Sequence, residues 1–205
     1  MDAKLLISAL VLAGTLTSCG GDDAVVLENE FQLAYQLSEF NLSKTYRYWE
    51  IRRGSVEFEE SDEYEVIVQF DATAYNGLVD DIKSVLSDAQ SQNGFFAQCL
   101  PSYCPIYGAA ISDQNDVELI DSNTLLKAFF GDIDTEAELF IWVKYSRLSF
   151  YNEPLSYEAY EQGYKVVVEW DTLCQRKGSS LIYVDQNGDI TELKQLTEEH
   201  YDSCA

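Results

Sequence analysis

The chain has 205 residues, of which 46% are hydrophobic and 13% aromatic. That is enough apolar surface to build a core, and it excludes disorder over most of the length. Acidic residues number 36 against 13 basic ones, a net charge of −23, so the surface repels nucleic-acid phosphates and nucleic-acid binding is set aside. The same imbalance attracts cations or a basic protein partner, although a solvated, strongly acidic surface explains it without any partner.

The first hydrophobic stretch, Leu5 to Leu16, follows Lys4 and reads LLISALVLAGTL. It is too short to cross a bilayer and has the length of the apolar region of an export signal. Leu16-Thr17-Ser18-Cys19 comes next: an aliphatic residue, a small polar one, a small one, then cysteine. This resembles the lipobox of bacterial lipoproteins. The resemblance implies cleavage after Ser18, a diacylglyceryl group on the Cys19 thiol and acylation of the new amino terminus. Residues 1–18 are then a signal peptide and 19–26 a lipidated flexible tether beginning Cys19-Gly20-Gly21-Asp22-Asp23. Gly20 stands where enteric lipoproteins retained at the inner membrane carry Asp, which implies the outer membrane. Asp22-Asp23 suits the acidic surface-export mark used in some other phyla. Two or more acyl chains hold a protein firmly where one does not.

Residues 27–205 are expected to form one domain. Leu27, Phe31, Ala34, Leu37 and Phe40 recur near helical spacing, which predicts a helix over 27–40. Thr45 to Phe58 reads as two strands or a hairpin broken at Gly54, and VIVQFDA after an acidic stretch is of strand type. Over 77–92, Leu78, Ile82, Val85, Leu86 and Ala89 form the stripe of an amphipathic helix with an acidic first turn. Short strands follow at 107–111 and 117–120. Ser122 is an N-cap for TLLKAFF, with Gly131 at its end. Thr135 and Glu138 spell a capping box that opens a helix through about Tyr145, apolar on nearly every side and so expected to be buried. Strands are expected at 164–170, 181–184 and about 190–196. Asn187-Gly188 is the dipeptide favoured by a type I′ turn. Three to four helices with antiparallel strands predict an α+β fold.

Of five cysteines, Cys19 is assigned to lipid, leaving Cys99, Cys104, Cys174 and Cys204 as an even set for an oxidising compartment. Three connectivities are open. Pairing sequence neighbours, Cys99 with Cys104 and Cys174 with Cys204, is favoured and would staple the domain.

Signatures of serine hydrolases, zinc proteases, P-loops and dinucleotide sites are absent from the sequence. A Ser-His or Cys-His mechanism would rest on His200, the single histidine. Catalytic residues therefore stay unknown, and no cofactor is expected. Asp185, Asn187 and Asp189 begin like a calcium loop, but Leu196 stands where the bidentate Glu belongs, and a hairpin explains the same residues. Tyr46, Tyr48 and Trp49, or Tyr151, Tyr157 and Tyr160, are clustered aromatics that suit either a sugar- or protein-binding surface or plain core packing.

Three segments, AFFGDIDTEAELFIWVKY, GYKVVVEWDTLC and LIYVDQNGDITEL, are similar to the C-terminal part of uncharacterised exported proteins of proteobacteria. The likeness covers about the last 80 residues. It implies a shared fold and a Cys174–Cys204 bridge, with no activity attached. The functional expectation is an anchored, non-catalytic binding module for an envelope protein or component. The alternatives are a tethered hydrolase using paired carboxylates, or a calcium- or carbohydrate-binding protein.

Overall fold

The computed structural model of the chain describes residues 25, 27–31, 39–54, 64–97, 104–145, 151–172 and 175–201. Its first half contains β1 (Asn29–Glu30), β2 (Tyr46–Gly54), β3 (Tyr64–Gln69), α1 (Ala72–Asn76) and α2 (Asp80–Asp88). Next come β4 (Phe96–Ala97), β5 (Pro105–Ser112), β6 (Val117–Ile120), α3 (Asn123–Phe130) and α4 (Glu136–Lys144). Four long strands close the chain: β7 (Tyr151–Tyr160), β8 (Gly163–Asp171), β9 (Arg176–Asp185) and β10 (Ile190–His200). The fold is α+β.

Two antiparallel sheets organise it. The N-terminal sheet runs β3-β2-β5, with β4 and β6 pairing successive stretches of the far side of β5. The C-terminal sheet is a meander in the order β1-β7-β8-β9-β10. Between them lie α3 and α4, whose Phe129, Phe130, Leu139, Ile141 and Val143 share one core with Trp49, Ile51 and Ile106 of the first sheet and Val166, Val168 and Ile182 of the second. A smaller core on the opposite face of the N-terminal sheet joins Tyr48, Ala109 and Ile111 to Leu78 and Leu86 of the α1–α2 region. Strands β2 and β5 thus have residues buried on both faces, which explains the near-continuous apolar run of β5.

The α1–α2 layer is held by charge as well as by contact. Arg52 is fully buried. It donates to Leu86 O (2.9 Å) and Ala89 O (2.7 Å) at the C-terminal end of α2, and its Nε donates to Glu50 Oε1 at 2.6 Å. A cation at that end suits the helix dipole. Tyr48 Oη donates to the other oxygen of Glu50, and the Tyr64 ring lies 3.8 Å from the Arg52 guanidinium carbon. Burial and the neighbouring Glu50 carboxylate push the Tyr48 phenol well above its usual range.

Both anticipated caps form. Ser122 Oγ accepts from Leu125 N, and Thr135 and Glu138 close a reciprocal capping box. Helix α4 is buried along Ala137–Ile141 and at Val143, as its all-round apolar pattern implies. Other expectations change. Asn29 and Glu30, inside the expected 27–40 helix, pair instead with Tyr157 and Ser156 of β7, and 32–38 lie outside the described residues. Phe31 and Phe40 still pack on the core, since side chains spaced for a helix can also reach a core from extended chain. Strand β2 runs unbroken to Gly54, while the expected second strand, at 55–58, lies outside the described residues. The Asn187-Gly188 turn is not type I′, because Gly188 (φ +80°) has positive φ and Asn187 does not. Gly188 N bonds Asp185 O, and Asp185 N bonds Asp189 O. That is the three-residue hairpin with a glycine bulge.

Candidate binding site

The meander extends past the helices that cover it. Asn152 donates to Val143 O in the last turn of α4 at 3.3 Å, so the cover ends beside Asn152 and its register partner Trp170. From there the inner face of β8, β9 and β10 continues as Trp170, Ser180, Gln195 and Glu198, lining a groove of about 200 Å³. Glu153, Glu169, Asp171, Lys177, Thr197 and Glu199 line a second groove of about 370 Å³ at the same end of the sheet. Trp170 borders both.

Local rules explain why the indole lies there. Trp170 pairs with Gly178 across the β8–β9 ladder. A Cβ at Gly178 would sit 2.8 Å from Trp170 Cζ2, so only glycine lets the ring lie across the neighbouring strand. The indole N–H donates to Ser180 Oγ at 3.0 Å, satisfying its one polar atom and leaving the ring half-buried.

Most groove charges already have partners. Lys177 pairs with Glu199 at 3.2 Å, Glu153 pairs with Lys144 of α4, and Tyr201 Oη donates to Asp171. That contact with Asp171 holds the Tyr201 phenol above its usual range. Glu198 is held below the usual carboxylate range by hydrogen bonds from Gln195 and Arg176. Glu169 is exposed and has no partner among the described residues. The arrangement attracts cationic groups and offers an aromatic face. Acid–base hydrolysis needs a desolvated carboxyl acid, and the two glutamates buried among the described residues, Glu50 and Glu138, lie elsewhere. Glu50 is held by Arg52 and Tyr48, and Glu138 by backbone amides.

The sequence candidates fall in different places. Cys19, Cys99, Cys174 and Cys204 lie outside the described residues. Cys104 is buried at the entry to β5. Asp185 accepts from Asp189 N at 2.9 Å, closing its own turn. No three His, Cys, Asp or Glu side chains are grouped for a metal ion among the described residues. His200 is exposed at the end of β10, 3.7 Å from Glu198. Tyr48 and Trp49 are core, Tyr46 and Tyr157 pack against it, and Tyr160 is exposed. Sequence reasoning missed the Trp170 grooves. The Trp170–Gly178 pairing that makes them depends on register, which no local pattern reveals. No known protein family, characterised protein or solved structure matches the chain.

Proposed function

We propose that the chain is a bacterial lipoprotein held in the outer membrane by acyl groups on Cys19, and that its body is a non-catalytic binding module for an envelope protein or component. One observation carries this reading: the tether side and the grooves lie at opposite ends of the C-terminal sheet. Asn29 stands opposite Tyr157 and Glu30 opposite Ser156, antiparallel. The chain therefore reaches the sheet from the side of the β7–β8 turn. The grooves open at the other end, where Asp171 pairs with Lys177. Tyr157 to Tyr151 spans about 20 Å at the usual strand rise. A body tethered through residues 19–26 turns the grooves away from the bilayer, and the acidic rim draws cationic groups of a partner while repelling anionic head groups.

Two disulfides, Cys99–Cys104 and Cys174–Cys204, belong to the same reading. The second is supported by Tyr201 N donating to Gln175 O at 3.2 Å, which brings the end of β10 beside the residue after Cys174.

The test is photo-crosslinking in cells from Glu169 or Lys177 in the groove and from the exposed Val85 on α2, with palmitate labelling of the wild type and Cys19→Ala. The expected outcome is palmitate incorporation that depends on Cys19, and a discrete adduct from the groove positions alone. Equal adducts from Val85, or none from either groove position, overturn the binding-module reading. Labelling that survives Cys19→Ala overturns the anchor.

A further inference from the structure

The chain contains three Asn-Gly pairs, Asn76-Gly77, Asn93-Gly94 and Asn187-Gly188. Each is open to the same intramolecular reaction, because glycine leaves the following amide nitrogen unhindered. Deprotonated, that nitrogen attacks the asparagine side-chain carbonyl and expels ammonia, forming a five-membered succinimide. Water then opens the ring at either carbonyl, giving aspartate or isoaspartate. The nucleophile is a backbone N–H, so a hydrogen bond to that N–H opposes the first step.

The three sites differ at this atom. Gly77 N is bonded to Thr73 O, and Gly188 N to Asp185 O at 2.9 Å. Gly94 N has no partner among the described residues, whereas its neighbours are fixed: Asn93 N donates to Ser91 Oγ and Phe95 N to Ile106 O. Asn93 is exposed, outside any helix or strand, so solvent base and water reach it. We propose that Asn93 is a self-modification site of the folded protein, converting spontaneously to aspartate and isoaspartate while Asn76 and Asn187 are protected.

The consequence is local and severe. A Cβ at Gly94 would lie 2.5 Å from Ile106 O, so the chain there runs close against β5 and leaves no space for added atoms. Isoaspartate inserts a methylene into the main chain just before that contact, ahead of the fully buried Phe95 and the β4–β5 pairing. The modified chain therefore loses the β4 edge.

The measurement is peptide mapping by mass spectrometry of the full chain in detergent, aged at mildly alkaline pH, natively and in urea. Natively, conversion at Asn93 is expected to run at least about fivefold ahead of Asn76 and Asn187, the factor set by opening one ordinary hydrogen bond. In urea the three rates should converge. Asn93→Gln should leave the chain folded and unmodified at that position, since ring closure there is slower. Asn76 or Asn187 converting as fast as Asn93 in the native chain, or Asn93 remaining intact, overturns the proposal, as does a rate order that persists in urea.

Discussion

At the scale of single residues, the two carboxylates buried among the described residues show how the molecule tolerates charge in its interior. Glu50 is neutralised by Arg52 at 2.5 Å, so it carries its counter-ion with it. Glu138 has no such cation among the described residues. It accepts from Asn41 N at 2.5 Å, Asp134 N at 3.2 Å and Thr135 N at 3.1 Å, stitching the chain before β2 to the start of α4. Burial nevertheless outweighs those amides and raises its carboxyl above the usual glutamate range. An acid with a raised folded value favours folding most when protonated. Its contribution is therefore full below the unfolded glutamate value and is lost as pH rises through the folded one. Glu138→Gln cannot titrate. Urea denaturation at a series of pH values should find the stability of wild type minus that of Glu138→Gln falling as pH rises from acid toward neutrality. A difference that rises with pH, wild type gaining on Glu138→Gln, would show that the amides, not burial, dominate at this carboxylate.

At the scale of elements, the β9–β10 turn is a structural plug. Trp142 Nε1 on α4 donates to Gly188 O at 2.8 Å, and Ile133 N ahead of α4 donates to Gln186 O at 2.9 Å. Gly188 has φ +80°, and a Cβ there would meet Trp142 at 2.8 Å. Gly188→Ala combines a left-handed residue with a clash against the docked indole, at about 2–3 kcal/mol together. Chemical denaturation should register that loss, and a variant within about 0.5 kcal/mol of wild type would mean the turn is free of α4. The turn also shows what was legible in advance. The dipeptide announced a hairpin, and Ser122, Thr135 and Glu138 announced two helix starts, because caps and turns are local chemistry. Strand β7 was illegible because Pro154 sits in its middle; it is accommodated by a register shift between Pro154 and Ser156. Helix α1 hid in five residues behind its Asp71 cap. At Asn29 and Glu30 the helical spacing misled, because this stretch pairs with β7 while Phe31 and Phe40 still reach the core. The Trp170 grooves arise from pairing between strands, which no window of sequence contains.

At the scale of the whole molecule, the excess of acid sets two opposing salt effects. Exposed ion pairs such as Lys44–Glu118, Arg53–Glu65, Arg176–Glu198 and Lys177–Glu199 each contribute about 0–1 kcal/mol and weaken with salt. Against them stands the mutual repulsion of 36 acidic residues with only 13 basic ones to offset it, and unfolding relieves it by spreading the charge. Salt acts on both by shortening the screening length from about 30 Å at 10 mM to about 8 Å at 150 mM. Close ion pairs, with their charges about 3 Å apart, lie well inside either length and lose little. Repulsions between carboxylates on different elements act over distances that fall between the two lengths and are largely removed. Repulsion therefore dominates the salt response. Raising sodium chloride across that range should stabilise the full chain by about 1 kcal/mol, an increase in Tm of about 2–4 °C for a protein of this size. Potassium chloride should give the same shift, since screening depends on ionic strength and not on the cation's identity. A fall in Tm would mean that the ion pairs govern the folded state despite the charge imbalance. A much larger rise with a divalent cation at matched ionic strength would show that the acidic surface collects specific ions as well as a diffuse atmosphere.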